Sequence, residues 1–185
     1  MRKTLVLLMV FLLSGAALAG DTENPGNVLT AENVEINKGS VFPVKVLLAN
    51  VDSLIAIQVP FYYRSEDVDL VCDSITFQGT RLAEQSLSFF KIEPVGKVAF
   101  FAFMSMTQLD PSKPMLIPGD GPIAVMWFTA GKEIKSGKVM LDSGPHVYYP
   151  HEWIDYSYHF WVKSTGEDVT RDVDCAYKPG YITVK

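Results

Sequence analysis

The chain has 185 residues, with 16 Lys and Arg against 21 Asp and Glu, for a formal charge of −5. A mildly acidic chain without a basic run excludes nucleic acid and an anionic membrane surface as expected partners, since both reward clustered Lys and Arg. The length suits one domain able to bury a core of its own.

The N-terminus sets the expected compartment. Arg2 and Lys3 precede an apolar run from Leu5 to Leu13, and small residues end in Ala17-Leu18-Ala19. That order is the signature of a secretory signal peptide over residues 1–19, with cleavage after Ala19. The run is too short for a permanent span, which needs about 20 apolar residues. No Cys follows it, so a lipid anchor is not expected. Removal of residues 1–19, with their two bases, leaves 166 residues carrying −7. The sequence therefore predicts a secreted, periplasmic or cell-surface protein, with no membrane attachment after cleavage.

Residues 20–32 read as a flexible N-terminal segment, polar at first and holding Pro25 and Gly26, with the folded domain expected over 33–185. Short β-type runs follow, divided by turn residues. Val34 and Ile36 alternate with polar neighbours before the turn Asn37-Lys38-Gly39, and Val41–Ala49 places Val44, Val46 and Leu48 on one face. Leu54–Tyr63 is the clearest two-faced strand. Ile55, Ile57, Val59, Phe61 and Tyr63 form one side, and Ala56, Gln58, Pro60 and Tyr62 the other. A period of two over ten residues cannot form a helical stripe. Pro60 lacks an N–H, so an edge or bulge is expected there.

Leu70–Phe77 continues the series, while Thr80–Lys91 is the one stretch that invites a helical turn. Val98–Met106 is almost continuously apolar, as a strand covered on both faces would be. Further strands are expected over Ile123–Ala130, Lys138–Leu141, the later part of His146–Val162, and Tyr181–Val184, with a hairpin turn at Ser164–Asp168. The expected fold is an all-β, about nine-stranded β-sandwich with jelly-roll-like topology and little helix.

Two cysteines, Cys72 and Cys175, permit one pairing, and an exported chain meets an oxidising compartment. A disulfide between them is expected, closing a loop of ~100 residues for up to ~4–5 kcal/mol in the chain-entropy model. The alternative is two thiols, one of them a buried apolar residue.

No motif points to catalysis or to a cofactor. His146, His151 and His159 share one window with Glu152 and Asp155, but without the convergent spacing zinc requires. The acids Glu152, Asp155, Glu167 and Asp168 sit in turn-like stretches, where carboxylates are solvated. Gly119-Asp120-Gly121 opens like a calcium loop, yet apolar Ile123 and Val125 follow where ligands are needed. Elbow, phosphate-loop and dinucleotide fingerprints are missing from the sequence. The aromatic residues Tyr148, Tyr149 and Trp153, around Pro150, are the expected exposed rings, suited to stacking on sugars or anchoring a protein interface.

The order of segments resembles a cohesin-like domain. Asn33–Asn50 is similar to that family's opening strand, turn and V-x-V strand; Leu54–Val71 to its next hairpin; and Gly96–Met104 to its G-x-V-x-F-x-x-F strand. Gly119–Phe128 resembles G-x-G-x-[IL]-A-x-[ILM]-x-F, and Pro179–Val184 the terminal P-G-x-I-x-V strand. The resemblance implies binding without chemistry. Its partner would be a dockerin-like or other extracellular protein module gripped by one sheet face; a polysaccharide is the alternative, and a subunit of a surface layer or filament joined by strand addition is a third reading. The implied sheet-face site holds Ala56, Gln58 and Tyr62. Here the chain departs from the cellulosomal pattern, which has a polar Asn-x-Asp pair where this sequence has Ala56 and Gln58, and Tyr-Asp-Pro where it has Tyr63-Arg64-Ser65.

Overall fold

A computed structural model describes residues 26–84, 87–105, 115–143, 159–163 and 170–185. Among them are thirteen strands and no helix. In chain order these are β1 (Asn27–Ala31), β2 (Val34–Ile36), β3 (Val41–Asn50), β4 (Leu54–Tyr62), β5 (Leu70–Thr76), β6 (Leu87–Glu93) and β7 (Val98–Met104). There follow β8 (Gly119–Ala130), β9 (Gly137–Leu141), β10 (His159–Lys163), β11 (Thr170–Asp172), β12 (Ala176–Lys178) and β13 (Gly180–Val184). The excess over nine is four strands: β1, inside the segment read as flexible, β6, inside the stretch that invites a helical turn, and β11 and β12, whose three residues are too short for alternation to reveal.

One sheet has the order β12-β1-β3-β8-β5 and a second β11-β10-β4-β7-β6, while a smaller one runs β2-β13-β9. The period-two pattern decides which side chains enclose the core. Along β3, Phe42, Val44, Val46 and Leu48 are buried while Val41, Pro43 and Lys45 face water. β4 opposes them with Ile57, Val59 and Phe61, all fully buried. Tyr63 meets Phe128 edge-on across the gap at 5.2 Å, and Phe61 stacks on Phe101 of the neighbouring strand in the same sheet at 6.0 Å. Each such ring contributes about 1.5–3 kcal/mol by burial.

β7 is buried on both faces from Val98 to Phe103, matching its unbroken apolar sequence. Pro60 sits at a break in the ladder, as its missing N–H requires, although β4 is a central strand and the residue is buried. Tyr62 N–H points away from β7 to Asp142 O (2.7 Å), whereas Tyr63 N–H points to Lys97 O on the β7 side (3.0 Å). Even-numbered β4 residues therefore address β10, whose pairing runs from Leu54 only as far as Gln58. The missing N–H of Pro60 falls in the gap between Gln58 and the Tyr62–Asp142 bridge.

Three expectations need correction. The domain does not start at residue 33: β1 already lies in the first sheet, with Leu29 and Ala31 buried. Asn27 is buried too, donating from Nδ2 to Asp52 Oδ2 (2.9 Å) and to Asp174 O (3.1 Å), so its polarity marks a satisfied core position. Within Thr80–Lys91, residues 80–84 form a turn and residues 87–91 open β6, with no helix among the described residues.

Cys72 and Cys175 form no disulfide. Cys72 lies on β5 and Cys175 immediately before β12, at opposite edges of one five-stranded sheet. Four strand spacings separate them, roughly 19 Å, against an upper Cα separation of about 7 Å for a bridge.

Candidate functional site

The outward face of the β4–β7–β6 sheet brings together the sheet-face residues that the sequence singled out. Ala56, Gln58 and Tyr62 lie on β4, directly opposite Met104, Ala102 and Val98 of β7. The next strand continues each row, with Leu87 opposite Met104, Phe89 opposite Ala102 and Glu93 opposite Val98, and with Lys91 opposite Phe100 between the last two. The face has a dry centre and an exposed apolar flank. Phe100 and Ala102 are only 3% and 6% exposed and form a small cluster of their own, separate from the main core. Beside them, Leu87 (45%), Phe89 (54%) and Met104 (53%) are open to water. The Phe89 ring rests against Phe100 at 5.8 Å. Charge is confined to the rim, where Lys91 Nζ pairs with Glu93 Oε1 at 2.8 Å. The Arg64 guanidinium lies 5.9 Å from the Tyr62 ring centre while its Nε donates to Gly96 O (2.9 Å).

Leu87, Phe89 and Met104 escaped the sequence reading because two adjacent aromatics, Phe89-Phe90, break alternation and suggest a helix. The only available signal was the strand Val98–Met104 next to them, whose outer side needs apolar neighbours. Tyr148, Tyr149 and Trp153 lie outside the described residues, as do His146 and His151. Of the histidine window only His159 is described, with its backbone on β10 opposite Gln58. No cluster of three or more His, Cys, Asp or Glu able to hold a metal occurs among the described residues.

A second feature was missed altogether. Arg81 follows the turn after β5 and lies over Gly119 and Gly121, whose built Cβ atoms would sit 3.2 and 3.3 Å from it. Its Nη1 donates to Leu48 O (2.9 Å), Asn50 Oδ1 (2.8 Å) and Gly119 O (3.0 Å), and its Nη2 to Ile117 O (2.6 Å). Gly-Asp-Gly thus makes room for a guanidinium in a nest of oxygens. Burial lowers the Arg81 pKa, with Asp120 acting in the opposite sense.

The groups with perturbed titration serve packing. Burial pushes Cys72 up to about 12, aided by Asp73, and Tyr63 up to about 12, aided by Cys72. It also raises Tyr177, whose hydroxyl donates to Leu141 O. All four shifts lower reactivity near neutral pH or leave charge unchanged, the opposite of what acid–base catalysis requires. A shallow hollow of about 230 Å³ lies over Asn33, Val34, Glu35, Lys138, Tyr181 and Thr183. Lys138 Nζ caps the Tyr181 ring there at 3.7 Å, covering a face on which a sugar would stack.

No protein-family model and no curated protein matches the chain. Solved structures do. A type I cohesin from Pseudobacteroides cellulosolvens superposes with TM-score 0.62 at 17% identity, covering 86% of this chain and 92% of that one. A cohesin from Acetivibrio cellulolyticus, solved in complex with a dockerin, gives 0.64 at 16% identity over 85% and 98%. A non-cellulosomal cohesin from the archaeon Archaeoglobus fulgidus gives 0.58 at 15% over 86% and 91%. The fold is that of a cohesin-like β-sandwich.

Proposed function

We propose that this chain is an exported, non-catalytic protein-recognition module that presents the outer face of the β4–β7–β6 sheet to an extracellular partner. The observation that supports this reading most directly is the exposed trio Leu87, Phe89 and Met104 beside the dry Phe100–Ala102 centre. Apolar centres with polar rims are the anatomy of protein interfaces. Solved structures of the same fold include cohesins in complex with dockerins. With Ala56 and Gln58 at the centre of β4, recognition here rests on apolar contact, so the partner is a dockerin-like module or another protein carrying a complementary greasy surface.

The test uses the processed chain immobilised beside a Phe89→Asp/Met104→Asp variant, each exposed to the secreted proteins of the source organism. A defined protein retained by the first and lost by the second supports the reading. Equal retention, or none, defeats it. Fluorescence titration with cellulose, xylan and chitin, expected to be flat, measures the polysaccharide alternative through Trp153. The intact mass of the exported protein reports cleavage after Ala19.

A further inference from the structure

β6 is an edge strand whose two charged residues, Lys91 and Glu93, are paired with each other. It ends the order β11-β10-β4-β7-β6, and no described strand lies beyond it. Its seven residues pair with β7 without a bulge. Even-numbered β4 residues point away from β7, so the ladder places the backbone groups of Leu87, Phe89, Lys91 and Glu93 toward β7 and those of Ser88, Phe90 and Ile92 outward. These three residues have no backbone partner among the described residues. The strand also exposes apolar side chains on both sides, with Phe90 45% exposed on the core side and Leu87 and Phe89 on the other. Natural edges of this length carry inward charges, prolines or bulges; a flat apolar one pairs with another chain.

We infer that β6 docks antiparallel against β6 of a second copy of this chain, about a two-fold axis passing beside Phe90. The register follows from the backbone. Outward amides must meet outward amides, so facing residue numbers add to an even sum and the axis passes beside a residue. Centring on Phe89 carries Ile92 past the start of the strand, and centring on Lys91 sets the two Lys91 side chains together and Ser88 against Pro94. Centring on Ile92 sets Phe90 against Pro94, which has no N–H to give. Centring on Ser88 carries Ile92 past the start of the strand. Centring on Phe90 uses all three outward residues, with Ser88 facing Ile92 of the second copy and the reverse. The side chains agree. Phe89 then faces Lys91 of the second copy, a cation over an exposed ring. Leu87 faces Glu93, and each Lys91 brings its own counter-charge, Glu93, at 2.8 Å. Self-pairing therefore adds no unmatched charge, whereas an arbitrary strand has no reason to match these positions. The pairing joins two five-stranded sheets into one of ten; its backbone bonds do not rest on the recognition reading above, but it places Lys91 and Glu93 of the second copy beside Phe89 and Leu87 of that face.

One added strand pair is a small interface, so association is expected in the range of about 10 μM to about 1 mM. Sedimentation equilibrium of the processed chain across that range should show a monomer–dimer equilibrium. Phe90→Pro removes an outward N–H and no bond to β7, and should weaken dimerisation at least tenfold while the thermal melt stays within a few degrees. If that variant melts early, Phe90→Lys, which sets like charges on the axis, decides on the same criterion. Under mild oxidation Phe90→Cys should give a covalent dimer and Ser88→Cys should not, measured above the linkage the unsubstituted chain shows through Cys72 or Cys175. A strictly monomeric chain, an edge variant that dimerises like the parent, or Ser88→Cys linking as readily as Phe90→Cys overturns the inference.

Discussion

Replacing Arg81 by alanine should cost about 3 kcal/mol, a figure that follows from counting which oxygens lose their donor. Four acceptors hold the guanidinium: Leu48 O, Asn50 Oδ1, Gly119 O and Ile117 O. Water can replace the donor at Gly119 and Ile117, which are exposed. It cannot easily do so at Leu48 O or at Asn50, whose residue is 4% exposed. Each stranded acceptor costs about 1–3 kcal/mol. At a chain of this size that lowers the melting temperature by about 6–12 °C. Urea unfolding at neutral pH, followed by circular dichroism, measures the loss. The partner substitution Gly121→Ala places a Cβ 3.3 Å from Arg81 Cδ at a φ of +146°, and should cost about 1 kcal/mol alone. In the double variant the contact term disappears, so the two costs should sum to more than the measured total. A folded Arg81→Ala protein within about 0.5 kcal/mol of the parent would refute the claim that the guanidinium fills an oxygen nest that solvent cannot serve.

Gly180→Ala should be among the most damaging single changes, at about 2 kcal/mol or more by thermal melting, because its Cβ would lie 2.5 Å from Ala31 O, a backbone atom that cannot swing away. Gly79→Ala, with open space around it but a φ of +73°, should cost only about 1 kcal/mol of conformational strain. Tyr63→Phe should leave urea stability within about 0.5 kcal/mol or raise it, since the Tyr63 hydroxyl is buried against the Cys72 backbone with no hydrogen-bond partner of good geometry. Alkaline stability should fall above about pH 9: the folded Cys72 holds its proton to about 12 while the unfolded thiol ionises near 9, so stabilisation is complete below the unfolded pKa and lost toward the folded one. Near pH 9, where the unfolded thiol is half ionised and unfolded tyrosine is still largely protonated, a slope of about 0.7 kcal/mol per pH unit from Cys72 should appear in urea midpoints. It should be lost in Cys72→Ala, leaving the smaller slope that Tyr63 and Tyr177 add toward pH 10.

The strands that the sequence revealed are those whose burial is a property of the strand itself. Leu54–Tyr63 alternates because one face meets the core, and Val98–Phe103 is apolar throughout because both faces are covered. What escaped depends on which strands become neighbours. The Cys72–Cys175 pairing looked natural until the sheet order set β5 and β12 at opposite edges. β1 fell in the segment read as flexible because its start is polar and holds Pro25 and Gly26, and only Asp52 and Asp174, brought near by the fold, show the polar Asn27 to be satisfied in the interior. Arg81 reads as a solvated turn residue until the oxygens of Leu48, Asn50, Ile117 and Gly119 converge on it. On the proposed recognition face, a period of two set Ala56, Gln58 and Tyr62 on one side of β4 and the family resemblance pointed to them as a site; the apolar flank on β6 showed in neither.

Parallel pairing of β1 with β12 and of β2 with β13 ties the first-made strands to the last-made ones, and Asn33 Oδ1 accepts from Tyr181 N–H across 148 residues of sequence. The sandwich therefore cannot close progressively as the chain emerges: its opening strands stay without their outer neighbours until residue 184 is available. Such long-range closure makes folding slow, and it makes the β12–β13 segment a keystone. A protease that removed residues 176–185 would strip the outer partners from two strands made long before, turning a finished domain into an adhesive one.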